Sequence, residues 1–142
     1  MGSELRVGDI MTKKVVTIPL GKMISEVAIL LKKHDIGSII VVDDKLGKHA
    51  KGIVTERDLV GIIAKGLDPH KLKAEDVMAK PLRATHPDIS LEEAANAMKK
   101  NKIRRLPVLN EQNELVGIIT EGDIMRVFPA IVDLLEEKSA IA

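Results

Sequence analysis

The stretch Gly52-Ile53-Val54-Thr55-Glu56-Arg57-Asp58-Leu59 returns as Gly117-Ile118-Ile119-Thr120-Glu121-Gly122-Asp123-Ile124, with five of eight positions identical and two more exchanging one aliphatic residue for another. The match runs upstream: Asp9-Ile10-Met11 pairs with Asp76-Val77-Met78, Thr17-x-Pro19 with Thr85-x-Pro87, and Ile39-x-Val41 with Leu106-x-Val108. The chain is therefore two copies of one unit. A period of about 65 residues is longer than that of solenoid repeats, which predicts two complete subdomains rather than an array.

Working outward from the repeated stretch, each copy reads as strand, then helix. Residues 51–55 and 115–120 are the strands. The helices open at Glu56-Arg57-Asp58 and Glu121-Gly122-Asp123, with Leu59, Ile62 and Ile63, or Ile124 and Val127, as their buried sides. Before each strand lies another apolar run, Ser38-Ile39-Ile40-Val41-Val42 or Leu106-Pro107-Val108-Leu109, closed by a polar turn. Pro107 has no N–H to give to a ladder, so its strand is expected to be an edge there or to leave that position unpaired. Further upstream, Ile24, Val27, Ala28 and Leu31 form a helical stripe that Leu91, Ala94, Ala95 and Met98 repeat, predicting helices over 22–34 and 90–101. Ser90 with Glu93 reads as a capping box at the start of the second. The unit is thus short strand, helix, strand, strand, helix. The boundaries read as repeat 1 over 5–66, a linker over 67–73, repeat 2 over 74–128 and a helical tail over 129–142.

With 45% hydrophobic and 30% charged residues and a net charge of +1, the 142-residue chain suits a soluble globular protein and carries no broad basic field for nucleic acid or acidic lipid. No cysteine is present, which excludes disulfides and thiolate metal sites. His34, His49, His70 and His86 have no metal-ligand spacing. No signal peptide or membrane-length apolar run is present, so the expected location is cytoplasmic.

A threonine at a strand end, with an aspartate three residues on at a helix start, sets a hydroxyl and a carboxylate beside unsatisfied backbone N–H groups. The hydroxyl and N–H groups suit phosphate, and the carboxylate suits two ribose hydroxyls if it faces the sugar. The same tetrapeptide is also a variant capping box, and taken alone it favours that structural reading. The surrounding glycine and aliphatics, and the second copy, shift the balance toward a ligand site.

These marks together resemble a tandem pair of cystathionine-β-synthase (CBS) domains, a Bateman module. They are the two Asp-x-Met openings, Ile103-Arg104-Arg105-Leu106-Pro107-Val108 in mid-repeat, and the two Gly-x-x-Thr-x-x-Asp endings, together covering residues 5–128. The resemblance implies an α+β fold of two pseudo-symmetric βαββα repeats packed through their sheets, with adenosyl ligands in the clefts and assembly as a homodimer. By position, Asp58 and Asp123 take ribose, and Thr55 and Thr120 take phosphate or its neighbourhood. Arg105, with Arg104 beside it, takes phosphate, and adenine lies near Val15-Val16 and Leu82-Arg83 and against Ile39-Ile40 or Leu106-Pro107. The first repeat has Gly37-Ser38 in place of Arg104-Arg105, so Ser38 offers a hydrogen bond without charge and the two sites are expected to differ. Arg57, opposite Gly122, is a candidate cation for the first site.

The expected function is an AMP-, ADP- or ATP-binding regulatory protein that needs no cofactor, performs no catalysis and acts on another, unidentified protein. No nucleophile elbow is present, and no histidine has an evident acid partner. An S-adenosylmethionine sensor stands as the alternative, as does a ligand-free protein- or nucleic-acid-interaction module. Against nucleic acid stands an aromatic content of one residue, Phe128, which leaves no stacking platform, while Lys99-Lys100-x-Lys102 and Arg104-Arg105 offer backbone contact.

Overall fold

The expected order of elements is found in the computed structural model, which describes residues 5–43 and 45–127. Along the chain these are α1 (Val7–Ile10), β1 (Thr17–Pro19), α2 (Ile24–His34), β2 (Ser38–Val42), β3 (Ala50–Thr55), α3 (Glu56–Ala64) and α4 (Ala74–Val77). There follow α5 (Leu91–Asn101), β4 (Arg105–Leu109), β5 (Leu115–Thr120) and α6 (Glu121–Val127). Phe128 and the helical tail expected over 129–142 lie outside the described residues.

Contacts divide the chain into two compact units, Val15–Leu82 and a discontinuous one that joins Met1–Lys14 to Arg83–Ala142. The repeats read from the sequence and the compact units therefore differ by an exchange of opening segments. Helix α1 belongs with the second repeat: Val7 N–H donates to Ile89 O (2.8 Å), Gly8 N–H to Pro87 O (2.9 Å), and Thr12 and Ile118 exchange two backbone bonds of 2.9 Å. Helix α4 belongs with the first, with Ala74 N–H donating to Lys22 O (2.8 Å) and Ala79 N–H to Ile53 O (3.0 Å). Residues 67–73, read as a linker, are tied to the start of α2, since Ile24 N–H donates to Leu72 O (2.8 Å) and Ser25 N–H to Pro69 O (3.0 Å).

This exchange accounts for the repeated Asp-x-Met. Asp9 and Asp76 cap their short helices by accepting from Arg6 N–H (2.8 Å) and Lys73 N–H (2.9 Å). Met11 lies over Gly117 and Met78 over Gly52. A Cβ on Gly117 would stand 2.7 Å from Met11 Sδ, and one on Gly52 2.5 Å from Met78 Sδ. The glycine of each copy is thus small because a methionine from the other copy's opening segment covers it.

In the continuous unit, β1 runs parallel to β2 and β2 antiparallel to β3. Strand alternation turns Ile39 and Val41, with Val54, into a core shared with Ile18, Ile24, Val27, Leu31 and Ile62. The helices bury a narrower arc than their apolar stripes suggest. Ala28, four residues after the buried Ile24, is exposed, and Ile63, next to the buried Ile62, is 65% exposed. In the other unit Leu91, Ala94, Ala95 and Met98 are all buried with Leu106, Val108, Ile119 and Ile124, whereas Val127 is 38% exposed. Ser90 Oγ accepts from Glu93 N–H (3.2 Å), one half of the expected box.

The sheets are unequal, with three strands in one unit and two in the other. Pro107 explains this. Its counterpart Ile40 donates its N–H to Val16 O (3.3 Å) and so ties β2 to the strand before it. Proline cannot do so, and the stretch around Thr85 joins β4 only as an isolated bridge to Val108, with Thr85 N–H donating to Pro107 O (2.9 Å).

Candidate functional site

The two Thr-x-x-Asp motifs fold as strand-to-helix corners, one in each unit. In the continuous unit Ser38 pairs in register with Thr55 and Ile40 with Ile53. These four side chains share the sheet face opposite the Ile39–Val41–Val54 core. Glu56 N–H donates to Gly37 O (3.0 Å), which pins the start of α3 beside the start of β2. The capping reading is present in full: Asp58 Oδ2 accepts from Thr55 N–H (2.9 Å) and from Thr55 Oγ1 (3.2 Å), while Asp58 N–H makes a long bond of 3.4 Å back to Thr55 Oγ1. The cap engages one carboxylate oxygen. Asp58 Oδ1 makes no hydrogen bond among the described residues.

The second corner is built the same way. Arg105 pairs with Thr120 and Pro107 with Ile118, and Glu121 N–H donates to Arg104 O (2.8 Å). Asp123 Oδ2 accepts from Thr120 N–H (2.9 Å), and Asp123 N–H donates to Thr120 Oγ1 (3.1 Å). Here the other oxygen is engaged as well, because Arg126 Nη2 lies 3.2 Å from Asp123 Oδ1.

A cavity of about 370 Å³ opens at this corner, lined by Arg104, Arg105, Thr120, Glu121, Gly122 and Met125. The structure so gathers three predicted residues, Arg104, Arg105 and Thr120, in one wall. Asp123 is buried at 5% exposure and is not part of that wall. Arg104 Nε stands 3.5 Å from Glu121 Oε2, so one carboxylate offsets part of the two arginines' charge. A larger concavity of about 480 Å³ lies at the start of α5, where Arg6 donates to Asp88 O (2.8 Å) beside Glu92 and Glu93. It holds none of the repeated motif, and the chemistry of the Thr-x-x-Asp corners makes the smaller cavity the better candidate.

The apolar positions fall as follows. Ile40 and Pro107 are buried outside both core clusters, and Val15 and Val16 are half-buried, with Val16 O bonded to Ile40. Leu82 is half-buried at the end of one unit, and Arg83 is exposed at the start of the next segment of the other. Arg57 is exposed on the first turn of α3. Sequence reading missed Glu121, Gly122 and Met125 as wall residues and Arg126 as the partner of Asp123. The one signal for Arg126 was its place three residues after the aspartate, on the same helix face. Among the described residues, no cluster of histidine and acidic side chains could hold a metal, and no helix is long and apolar enough to cross a membrane.

Comparison with known proteins agrees with this architecture. A CBS-domain family model matches residues 7–65 and 74–130. The CBS domain-containing protein YhcV of Bacillus subtilis is 39% identical over 119 residues, covering 83% of this chain and 81% of that protein. The CBS domain pair of protein MJ0100, solved with 5′-methylthioadenosine and S-adenosyl-L-methionine, superposes with a TM-score of 0.80 at 30% identity over 89% of this chain and 97% of that one. The CBS domain protein PAE2072 of Pyrobaculum aerophilum, solved with AMP, does so with a TM-score of 0.80 at 26% identity over 97% and 100%. With both of its repeats matched and its two corners built alike, the chain belongs to the CBS-domain family as a tandem pair.

Proposed function

We propose that this protein is a non-catalytic regulatory module that binds an adenine nucleotide, AMP, ADP or ATP, and passes its occupancy to another protein. The observation that carries this reading is the cavity of about 370 Å³ in which Arg104 and Arg105 meet Thr120 at the start of α6. Two guanidinium groups beside a hydroxyl match a phosphate, which needs charge and several donors at once. In the same reading Asp58 and Asp123 accept from ribose, and the half-buried Val15, Val16 and Leu82 offer apolar surface to adenine, backed by the buried Ile40 and Pro107. The AMP bound by PAE2072 supports the ligand class.

A second ligand, S-adenosylmethionine, is favoured by one observation in the continuous unit. Ser38 faces Thr55 where the other unit has Arg105, so the strand wall of this corner supplies a hydroxyl in place of a guanidinium and suits an adenosyl group lacking phosphate. The ligands of MJ0100 have that character. Assembly as a homodimer is part of the proposal, supported by Ile29, Val60 and Ile63, which leave α2 and α3 with apolar side chains 65–68% exposed.

Calorimetric titration of nucleotide-stripped protein with AMP, ATP and S-adenosylmethionine tests the reading, with Asp58→Ala and Asp123→Ala alongside. Each variant is expected to weaken one site by about 1–3 kcal/mol, the cost of losing hydrogen bonds to a charged acceptor. Unchanged affinity in both variants rejects the ribose assignment. No heat and no rise in melting temperature with any of the three ligands rejects the nucleotide reading itself.

A further inference from the structure

The two aspartates have the same sequence context and the same Thr-to-Asp cap, yet only Asp58 has one carboxylate oxygen without a hydrogen bond among the described residues. Asp123 Oδ2 is taken by Thr120 N–H (2.9 Å) and Oδ1 by Arg126 (3.2 Å), and the residue is 5% exposed. Asp58 engages Thr55 through Oδ2 alone and is half-buried. The cause is a single position. Three residues after Asp123 stands Arg126, whereas three residues after Asp58 stands Gly61, which has no side chain.

A vicinal diol binds a carboxylate by donating to its oxygens, and a guanidinium already on one of them competes for the same lone pairs. We propose that Arg126 is a specificity-determining residue, an internal competitor that holds Asp123 back from ribose and leaves Asp58 as the first aspartate to be occupied. The competition is mild by construction. The Arg126 side chain is 75% exposed, and such an arginine is held by a weak, water-screened pair that a ligand can displace. Displacement requires only rotation of an exposed side chain, so Arg126 lowers affinity without closing the site. Its released guanidinium stays close to the cavity wall, since Arg126 is next in sequence to Met125 and about one helical turn from Gly122, and there it adds positive charge for a phosphate-bearing ligand. The arrangement discriminates against a neutral nucleoside more than against a nucleotide. This inference rests on the ribose reading of the aspartates.

The test uses adenosine, which has the diol and no phosphate, on the full chain. In an Asp58→Ala background, Arg126→Ala is expected to tighten adenosine about two- to fivefold, the range measured for exposed ion pairs. The converse is expected from Gly61→Arg in an Asp123→Ala background. A Cβ at Gly61 meets nothing within 4 Å, so the new arginine enters without strain and is expected to weaken adenosine about two- to fivefold. Gly61→Ala, which adds no charge, is the control and is expected to leave the affinity alone. Unchanged or weaker adenosine binding in Arg126→Ala overturns the proposal, provided Asp123→Ala in the same background abolishes it. Adenosine binding that survives Asp58→Ala/Asp123→Ala instead overturns the ribose reading and the competitor with it, as does absence of adenosine binding in every variant.

Discussion

Replacing Gly117 by alanine tests the exchange of opening segments, because the added methyl enters the space that residues 11–12 occupy. Its Cβ would stand 2.7 Å from Met11 Sδ, 3.1 Å from Met11 Cγ and 3.0 Å from Thr12 O. Comfortable carbon contacts begin near ~3.5 Å, so the neighbours must retreat by roughly half an ångström or more. Met11 can rotate. Thr12 O cannot easily, since it accepts Ile118 N–H at 2.9 Å in a reciprocal pair one residue away. Overpacking of this kind costs about 1–3 kcal/mol. Loss of glycine's freedom in the unfolded chain offsets about 0.4–1 kcal/mol, and a broken Thr12–Ile118 bond adds back about 0.5–1.5 kcal/mol. The expected net is destabilisation by about 1–3 kcal/mol, read as a lower urea midpoint or a melting temperature reduced by about 3–4 °C for each kcal/mol. The companion Gly52→Ala differs in kind, for its three nearest atoms are Sδ, Cγ and Cβ of Met78 alone. Adding Met78→Ala is therefore expected to recover much of the Gly52→Ala loss, whereas Met11→Ala recovers less of the Gly117→Ala loss. A Gly117→Ala protein as stable as the parent refutes the docking of residues 11–12 on β5.

Arg105→Ala is expected to weaken AMP and ATP by about tenfold or more while changing adenosine little, as befits loss of a charge-assisted phosphate contact. Equal losses for all three ligands in calorimetry remove Arg105 from the phosphate. Val60→Asp with Ile63→Asp, at positions 68% and 65% exposed, is expected to convert a dimer to monomer in light scattering without lowering the monomer's melting temperature. A dimer that persists places the interface elsewhere.

The internal repeat made most of the fold legible. Period-2 and period-3.6 patterns placed the main helices and strands within a residue or two, since Ile24, Val27 and Leu31, or Ile39 and Val41, are buried for the reason their spacing suggests. What a pattern cannot carry is partnership between distant segments. Asp9-Ile10-Met11 and Gly117 are both conspicuous in the sequence, yet nothing local says that they meet, and the unit boundaries differ from the repeat boundaries for that reason. Exposure within a helical stripe is equally non-local, because burial of Ala28 or Ile63 depends on what packs against the helix and not on the spacing of the stripe. At the site, Thr55, Asp58, Thr120 and Asp123 were legible because the spacing of a cap is local. Arg126 was not singled out, because an arginine on a helix's polar face is ordinarily solvated, and only its 3.2 Å approach to a buried carboxylate distinguishes it.

The exchanged segments also order the events of synthesis. The Val15–Leu82 unit is complete as soon as residue 82 has emerged, with its three-stranded sheet and α4 in hand. The opening segment around Thr12 must wait, because the strand it docks on ends at Thr120. At translation rates of about 5–20 residues per second, Val7 and Met11 spend roughly 5–20 s without their partners. A fragment cut after residue 82 keeps a whole sheet, while one begun at residue 83 lacks the segment that covers Gly117, so the two halves of a duplicated sequence are not interchangeable as pieces.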